Sequence, residues 1–259
     1  MQVSTQIDLL GWTAYLPDKF KTAQFMIYLI FVFGILYELT PGILFNIYGG
    51  KHSRLNHRLV QTYGTGVLGN IILMYCTVLK EMKLSDAYQL ATLPYIVECL
   101  RNIWKERQPK QAVGYNKHKA ALYLVFSVSF LYSMTQQHQV ASMKAAAVTY
   151  ILLGLWVIIR PDAAAESLCG HFPTYDATSR LMMRMIGFNA LGHGGLTAAT
   201  LFGDDVDPLT AFGIGYSAWF FKLLVLQVIT RDIKKAGLDG RLVSFWILMH
   251  GMVVATVLL

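Results

Sequence analysis

Residues 34–50, GILYELTPGILFNIYGG, decide the fold because the chain carries their pattern twice. At an offset of 120, Gly34, Pro41 and Gly50 recur as Gly154, Pro161 and Gly170 within GLWVIIRPDAAAESLCG. Three inserted residues then move the register to 123, where Gly64, Leu68, Gly69 and Gly114 correspond to Gly187, Leu191, Gly192 and Gly237. Matches of Gly and Pro at only two registers, in a chain with 21 Gly and 7 Pro, read as a tandem duplication.

The residues around each copy set the class. The 259-residue chain is 55% apolar and 14% charged, where soluble domains carry roughly 25% charged residues. Mean hydropathy is +0.45. Apolar runs at about 22–40, 59–79, 86–104, 119–136, 144–160, 180–201, 208–229 and 241–259 are each long enough, or nearly so, to cross a bilayer core of ~30 Å. The expectation is an all-α integral membrane protein with about eight transmembrane helices, arranged as two four-helix repeats. Residues 1–21 form an N-terminal interfacial arm, 22–136 the first repeat, 137–143 a linker and 144–259 the second repeat. Met1–Phe20 lacks the basic and apolar regions of a cleavable signal. Cys76, Cys99 and Cys169 have no metal-like spacing and are read as small apolar fillers.

Charge distribution excludes nucleic acid as the explanation of the net +7. Sixteen of the 22 Lys and Arg cluster at alternate connections, leaving Lys19, Lys21, Lys80, Lys83, Lys144 and Lys222. The lysines opposite are accompanied by Asp8, Asp18, Glu81, Asp86, Asp204, Asp205 and Asp207. This is the positive-inside asymmetry, so both termini are expected on the non-cytoplasmic side. Four spans per repeat is an even number, which makes the repeats parallel. The basic loops favour anionic lipid headgroups. Thylakoid, mitochondrial inner and bacterial inner membranes all fit.

Within each repeat the first span stops at a proline, Pro41 or Pro161, which cannot continue the intrahelical ladder. A short interfacial segment follows, and then a Gly-rich second span suited to close helix approach. The third span carries Pro94 and Glu98 in the first repeat and Lys222 in the second. Lone charges in a span face a partner or a cavity. Glu98 can pair with Arg101 at (i, i+3) and Lys222 can snorkel to the basic face; alternatively, the two pair with each other across the repeat interface.

His193 and His250 alone among the histidines lie well inside spans, about 6 Å apart in depth at 1.5 Å per residue. They are candidate axial ligands for chlorophyll or haem, or neutral rings bonded to a neighbouring helix. The glycines around His193 match no phosphate-binding fingerprint, and no catalytic motif is present.

Each half, with its Gly…Pro…Gly opening, Arg-led glycine-rich second helix and Gly before the fourth, resembles the DoxX-like superfamily of small four-helix membrane proteins. The resemblance covers most of both halves and implies a four-helix unit. Some members are linked to quinone-dependent sulfur oxidation or redox complexes, and no catalytic residue carries over. Two functions follow as expectations. One is a non-catalytic subunit of a photosynthetic or respiratory complex, contacting other membrane subunits and binding lipid or pigment. The other is a small-molecule carrier or quinone-linked redox protein using the Glu98, Lys222 and His193 region. The charge asymmetry gives the first prediction. Single cysteines at positions 110 and 205 should react with an impermeant thiol reagent from opposite sides of the membrane, and labelling from one side would overturn the topology.

Overall fold

A computed structural model describes residues 18–106, 117–135, 139–169, 175–203 and 206–259. These residues are helical almost throughout, with no strand among them beyond one isolated bridge. The helices are α1 (Lys19–Leu39), α2 (Gly42–Tyr48), α3 (Arg54–Met74), α4 (Leu84–Glu106), α5 (Lys117–Met134), α6 (Gln139–Ile159), α7 (Pro161–Cys169), α8 (Ala177–Phe202), α9 (Pro208–Leu224), α10 (Asp232–Lys235) and α11 (Gly240–Leu258). Wide π-type turns extend α3 over Tyr75–Leu79 and α9 over Val225–Ile229. Left-handed residues, Glu81 and Arg231, follow soon after each. Five helices are long and apolar enough to cross a membrane: α1, α3, α6, α9 and α11, with α3 and α9 counted through their wide turns.

The other three expected spans are helices too, but their sequences dilute the apolar signal. Helix α5 has an apolar stretch limited to Ala121–Met134. Helix α4 carries Pro94, Glu98, Arg101 and Asn102, and α8 carries Arg180, Arg184, Asn189 and His193. Neighbours bury Glu98, Asn102, Asn189 and His193 almost completely.

Helix starts follow local chemistry. Asp18 accepts from the Lys21 amide at 3.0 Å, Ser53 from Asn56 at 3.0 Å and Asp176 from Ser179 at 2.9 Å. Asp207, with Pro208 at the first helical position, accepts from Leu209 and Thr210. Each side-chain oxygen satisfies an amide that the helix leaves unpaired. The expected arm and linker need correction at their edges. Lys19–Lys21 belong to α1, and Gln139–Met143 belong to α6, because QVASMKAAA is a run of good helix formers. The interfacial segments after Pro41 and Pro161 are the short helices α2 and α7. The rest of the arm, the middle of the long basic loop and residues 136–138 lie outside the described residues.

Helix α3 packs on α1 and α4, and α4 packs on α5; in the C-terminal half α8 packs on α6 and α9, and α9 on α11. Across the middle, α3 meets α8, α1 meets α9 and α11, and α6 meets α4 and α5. Glycines set the closest approaches. A Cβ on Gly64 would stand 3.2 Å from the Gly34 carbonyl oxygen, and one on Gly187 would stand 2.9 Å from that of Gly154. These two pairs are the positions equated by the sequence offsets. The halves are also pinned at the end where α2 finishes. Gly49 bridges to Leu238, and the Asp239 amide donates to the Tyr48 carbonyl at 2.6 Å. Gly49 has φ +81°, and a Cβ there would lie 2.7 Å from the Gly237 oxygen, so only glycine serves.

A second prediction comes from the glycine contacts. A Cβ at Gly154 meets two backbone atoms, the Gly187 oxygen at 2.7 Å and the Leu191 nitrogen at 2.8 Å, whereas one at Gly195 meets nothing closer than 3.9 Å. Gly154→Ala should therefore cost about 1–3 kcal/mol, and Gly195→Ala should be close to neutral. Thermal unfolding of the two variants in mild detergent checks the contrast.

Candidate functional site

Among the described residues, three polar groupings between the helices hold the residues singled out from sequence, beside a separate buried pair of Arg184 on α8 with Asp232 on α10. The first is the seam between α3 and α8. The Ser179 hydroxyl donates to Asn56 Oδ1 at 2.7 Å, and Asn70 Oδ1 lies 2.7 Å from His193 Nδ1. Both pairs join positions separated by 123 in sequence. Asn70 also donates to the Asn189 carbonyl at 2.8 Å, and Asn189 returns a bond to the Tyr63 carbonyl at 3.1 Å. At the mouth of the seam Asp176 collects Ser179, Asn56 and Lys51. Burial works to raise the Asp176 carboxyl, but these hydrogen bonds outweigh it and hold the group below its ordinary value. His193 is 2% exposed and enclosed by the rings of Tyr88, Tyr95 and Tyr150.

The second grouping lies within the N-terminal half. Glu98 on α4 is 6% exposed and accepts from Arg58 at 2.9 Å, from Thr62 at 3.0 Å and from Asn102 at 3.2 Å. It also pairs with Arg101, which in turn holds Glu38 at the end of α1. Thr65 donates to Glu38 at 3.0 Å. Two carboxylates and two guanidiniums thus neutralise one another where α1, α3 and α4 converge. The (i, i+3) pairing of Glu98 with Arg101 is present.

The pairing of Glu98 with Lys222 is not. Among the described residues no ion pair joins them, because each charge is held elsewhere. Lys222 is 4% exposed and donates to the Tyr63 hydroxyl at 2.7 Å. Its ammonium lies 5.1 Å from the Tyr63 ring centroid and 5.4 Å from that of Trp219. Thr62 serves Glu98 and Tyr63 serves Lys222, so adjacent residues of α3 present the two charges to different sides of the helix. Arg58, the arginine that opens the second span, is a partner of Glu98 that the sequence reading did not assign. The signal for it was Arg58, Thr62 and Thr65 at helical spacing on one face of α3.

The third grouping surrounds Lys222 and is a cavity of about 100 Å³ between the halves. Helix α1 contributes Phe33 and Tyr37, α2 Tyr48, α3 Tyr63, α9 Trp219 and Lys222, and α11 Trp246 and His250. The Tyr216 hydroxyl lies 2.5 Å from His250 Nδ1, and the imidazole sits near the rings of Tyr216 and Trp246. Burial raises the Tyr48 phenol above its ordinary value, with a hydrogen bond to Trp246 opposing the shift, so Tyr48 stays protonated at neutral pH. The structure therefore brings Lys222 and His250 to one cavity and leaves Glu98 and His193 in separate clusters. Tyr37, Tyr48, Tyr63, Trp219 and Trp246 were missed from sequence, where they read only as apolar aromatics.

Comparisons with protein families, with curated proteins and with solved structures find no match to this chain. The separation of the two charges yields a third prediction. Glu98→Gln leaves two buried guanidiniums facing one carboxylate, Glu38, and should destabilise by about 3–5 kcal/mol, whereas Lys222→Met, which loses one neutral partner, should cost far less. In the double variant the losses should add within about 0.5 kcal/mol, since the residues share no partner. A larger coupling in detergent unfolding would mean that the charges interact after all.

Proposed function

We propose that this chain is a membrane protein of two parallel four-helix units, derived from one DoxX-like unit, whose cavity between the units binds a small molecule. The glycine pairs Gly34–Gly64 and Gly154–Gly187, the matching sets of helix neighbours and the meeting of positions 123 apart support the duplication. For two parallel helices related by an axis along their length, each residue near the axis meets its own counterpart at every level. Asn56–Ser179 and Asn70–His193 do so 14 residues apart, or ~21 Å along a helix. An axis perpendicular to the helices would permit this at one level only.

The observation that carries the binding reading is Lys222, a buried ammonium on a cavity lined by phenols and indoles. A packed scaffold gains nothing from such a group, which costs free energy to insert. Binding sites in helical membrane proteins place few polar groups in an apolar pocket in this way. The activity that fits is that of a carrier or a quinone-linked partner. The alternative, a subunit that scaffolds a photosynthetic or respiratory complex, draws on the exposed apolar flanks of α1, α5 and α11. Lipid demands the same flanks of any membrane protein, so they favour neither.

Native mass spectrometry of the protein released from mild detergent tests the reading. The wild-type chain should retain a small molecule at near-stoichiometric occupancy, and Lys222→Met should lose most of it. Equal retention of the same molecules by both would overturn the cavity as the site. A visible tetrapyrrole spectrum that disappears in His250→Ala would replace it with the haem or chlorophyll reading.

A further inference from the structure

The charge balance of the same cavity goes further and points to the class of its ligand. An ammonium carries three N–H donors. Lys222 directs one to the Tyr63 hydroxyl, and among the described residues no other hydrogen-bond or ion-pair partner meets it. No aspartate or glutamate among the described residues lines the cavity. The two other buried cation clusters solve this problem with protein carboxylates: Arg58 and Arg101 with Glu98 and Glu38, and Arg184 with Asp232. Lys222 alone is left to neutral phenol and indole faces.

A second group at the site is short of a partner in the same sense. The indole nitrogen of Trp219, whose ring lies under the Lys222 ammonium, is buried without an acceptor. Trp219 is itself only 2% exposed. Among the described residues, then, the Lys222 ammonium has two N–H groups without a hydrogen-bond partner and no counter-charge. The remaining wall is aromatic and aliphatic, including Phe33, Val67 and Leu226.

We propose that the cavity takes a compact monocarboxylate, with the carboxylate on Lys222 and an apolar body, ring-like or short-chained, against the aromatic wall. The proposal rests on the cavity being a ligand site, as argued above. A carboxylate supplies the missing negative charge and accepts from the ammonium N–H groups that Tyr63 does not take. The volume of about 100 Å³ suits a single ring or a short chain rather than a folded lipid tail. A neutral carbonyl compound would accept a hydrogen bond but leave the ammonium uncompensated.

The test uses 4-bromobenzoate and its methyl ester, whose bromine quenches tryptophan fluorescence, against the full chain in mild detergent at matched micellar concentrations. The acid should bind the wild-type protein about ten-fold or more tightly than the ester, since a charge-assisted hydrogen bond exceeds a neutral one by at least that factor. Lys222→Met should remove the preference while leaving ester binding in place, and Lys222→Arg should keep it. Equal affinity of acid and ester for the wild-type protein would overturn the carboxylate assignment and leave the cavity reading standing. Quenching by neither compound would overturn both. The wild-type comparison decides even where a variant fails to fold.

Discussion

The structure depends on one seam, the contact of α3 with α8. Lipid tails are as apolar as leucine, so burying aliphatic surface does not hold membrane helices together. What remains is close packing and hydrogen bonding between polar groups that would otherwise be stranded in hydrocarbon. The seam uses both. Asn56 and Ser179, Asn70 and His193, and Asn189 with the Tyr63 carbonyl hydrogen-bond across it, and Gly66 lets Asn189 approach the α3 backbone. Small polar residues are expensive to leave unpaired in this setting, so the seam fixes register as well as adhesion.

The two sides of that seam differ. On one side of it, α4, α5 and α6 close around His193, with Tyr88, Tyr95 and Tyr150 packed about the imidazole and a hydroxyl contact from Tyr88 to Thr197. On the other side, α1, α9 and α11 stand off enough to leave the Lys222 cavity. The N-terminal half spends its buried charges on a closed quartet of Glu38, Arg58, Glu98 and Arg101. At the 123 offset Glu98 and Arg101 fall on Phe221 and Leu224, so the C-terminal half has no such quartet there. The N-terminal half thus holds a self-neutralised charge cluster, and the C-terminal half holds Lys222 with no ion-pair partner among the described residues.

The division of labour among the tyrosines follows from geometry. Tyr63 faces the cavity with its hydroxyl on Lys222, while its backbone carbonyl accepts from Asn189 in the seam. A single residue of α3 therefore links the interface that holds the halves to the group that distinguishes the cavity.

The sequence by itself determined the helical class, the proline stops at Pro41 and Pro161, the glycine contacts and the location of the charges along the chain. Those features are local or periodic: a proline at the end of a span cannot extend its ladder, and glycine marks a close approach without saying to what. The (i, i+3) pairing of Glu98 with Arg101 was legible for the same reason. Only the tertiary structure decided which side of α3 each charge meets. Glu98 and Lys222 look like partners when equivalent helices are overlaid, but one residue along α3 is a rotation of about 100°, enough to send Thr62 to Glu98 and Tyr63 to Lys222. The cavity was equally hidden. Its wall comes from α1, α2, α3, α8, α9, α10 and α11, many of them distant in sequence, and its aromatic residues carry no spacing signal until the seam between α3 and α8 brings them around one ammonium.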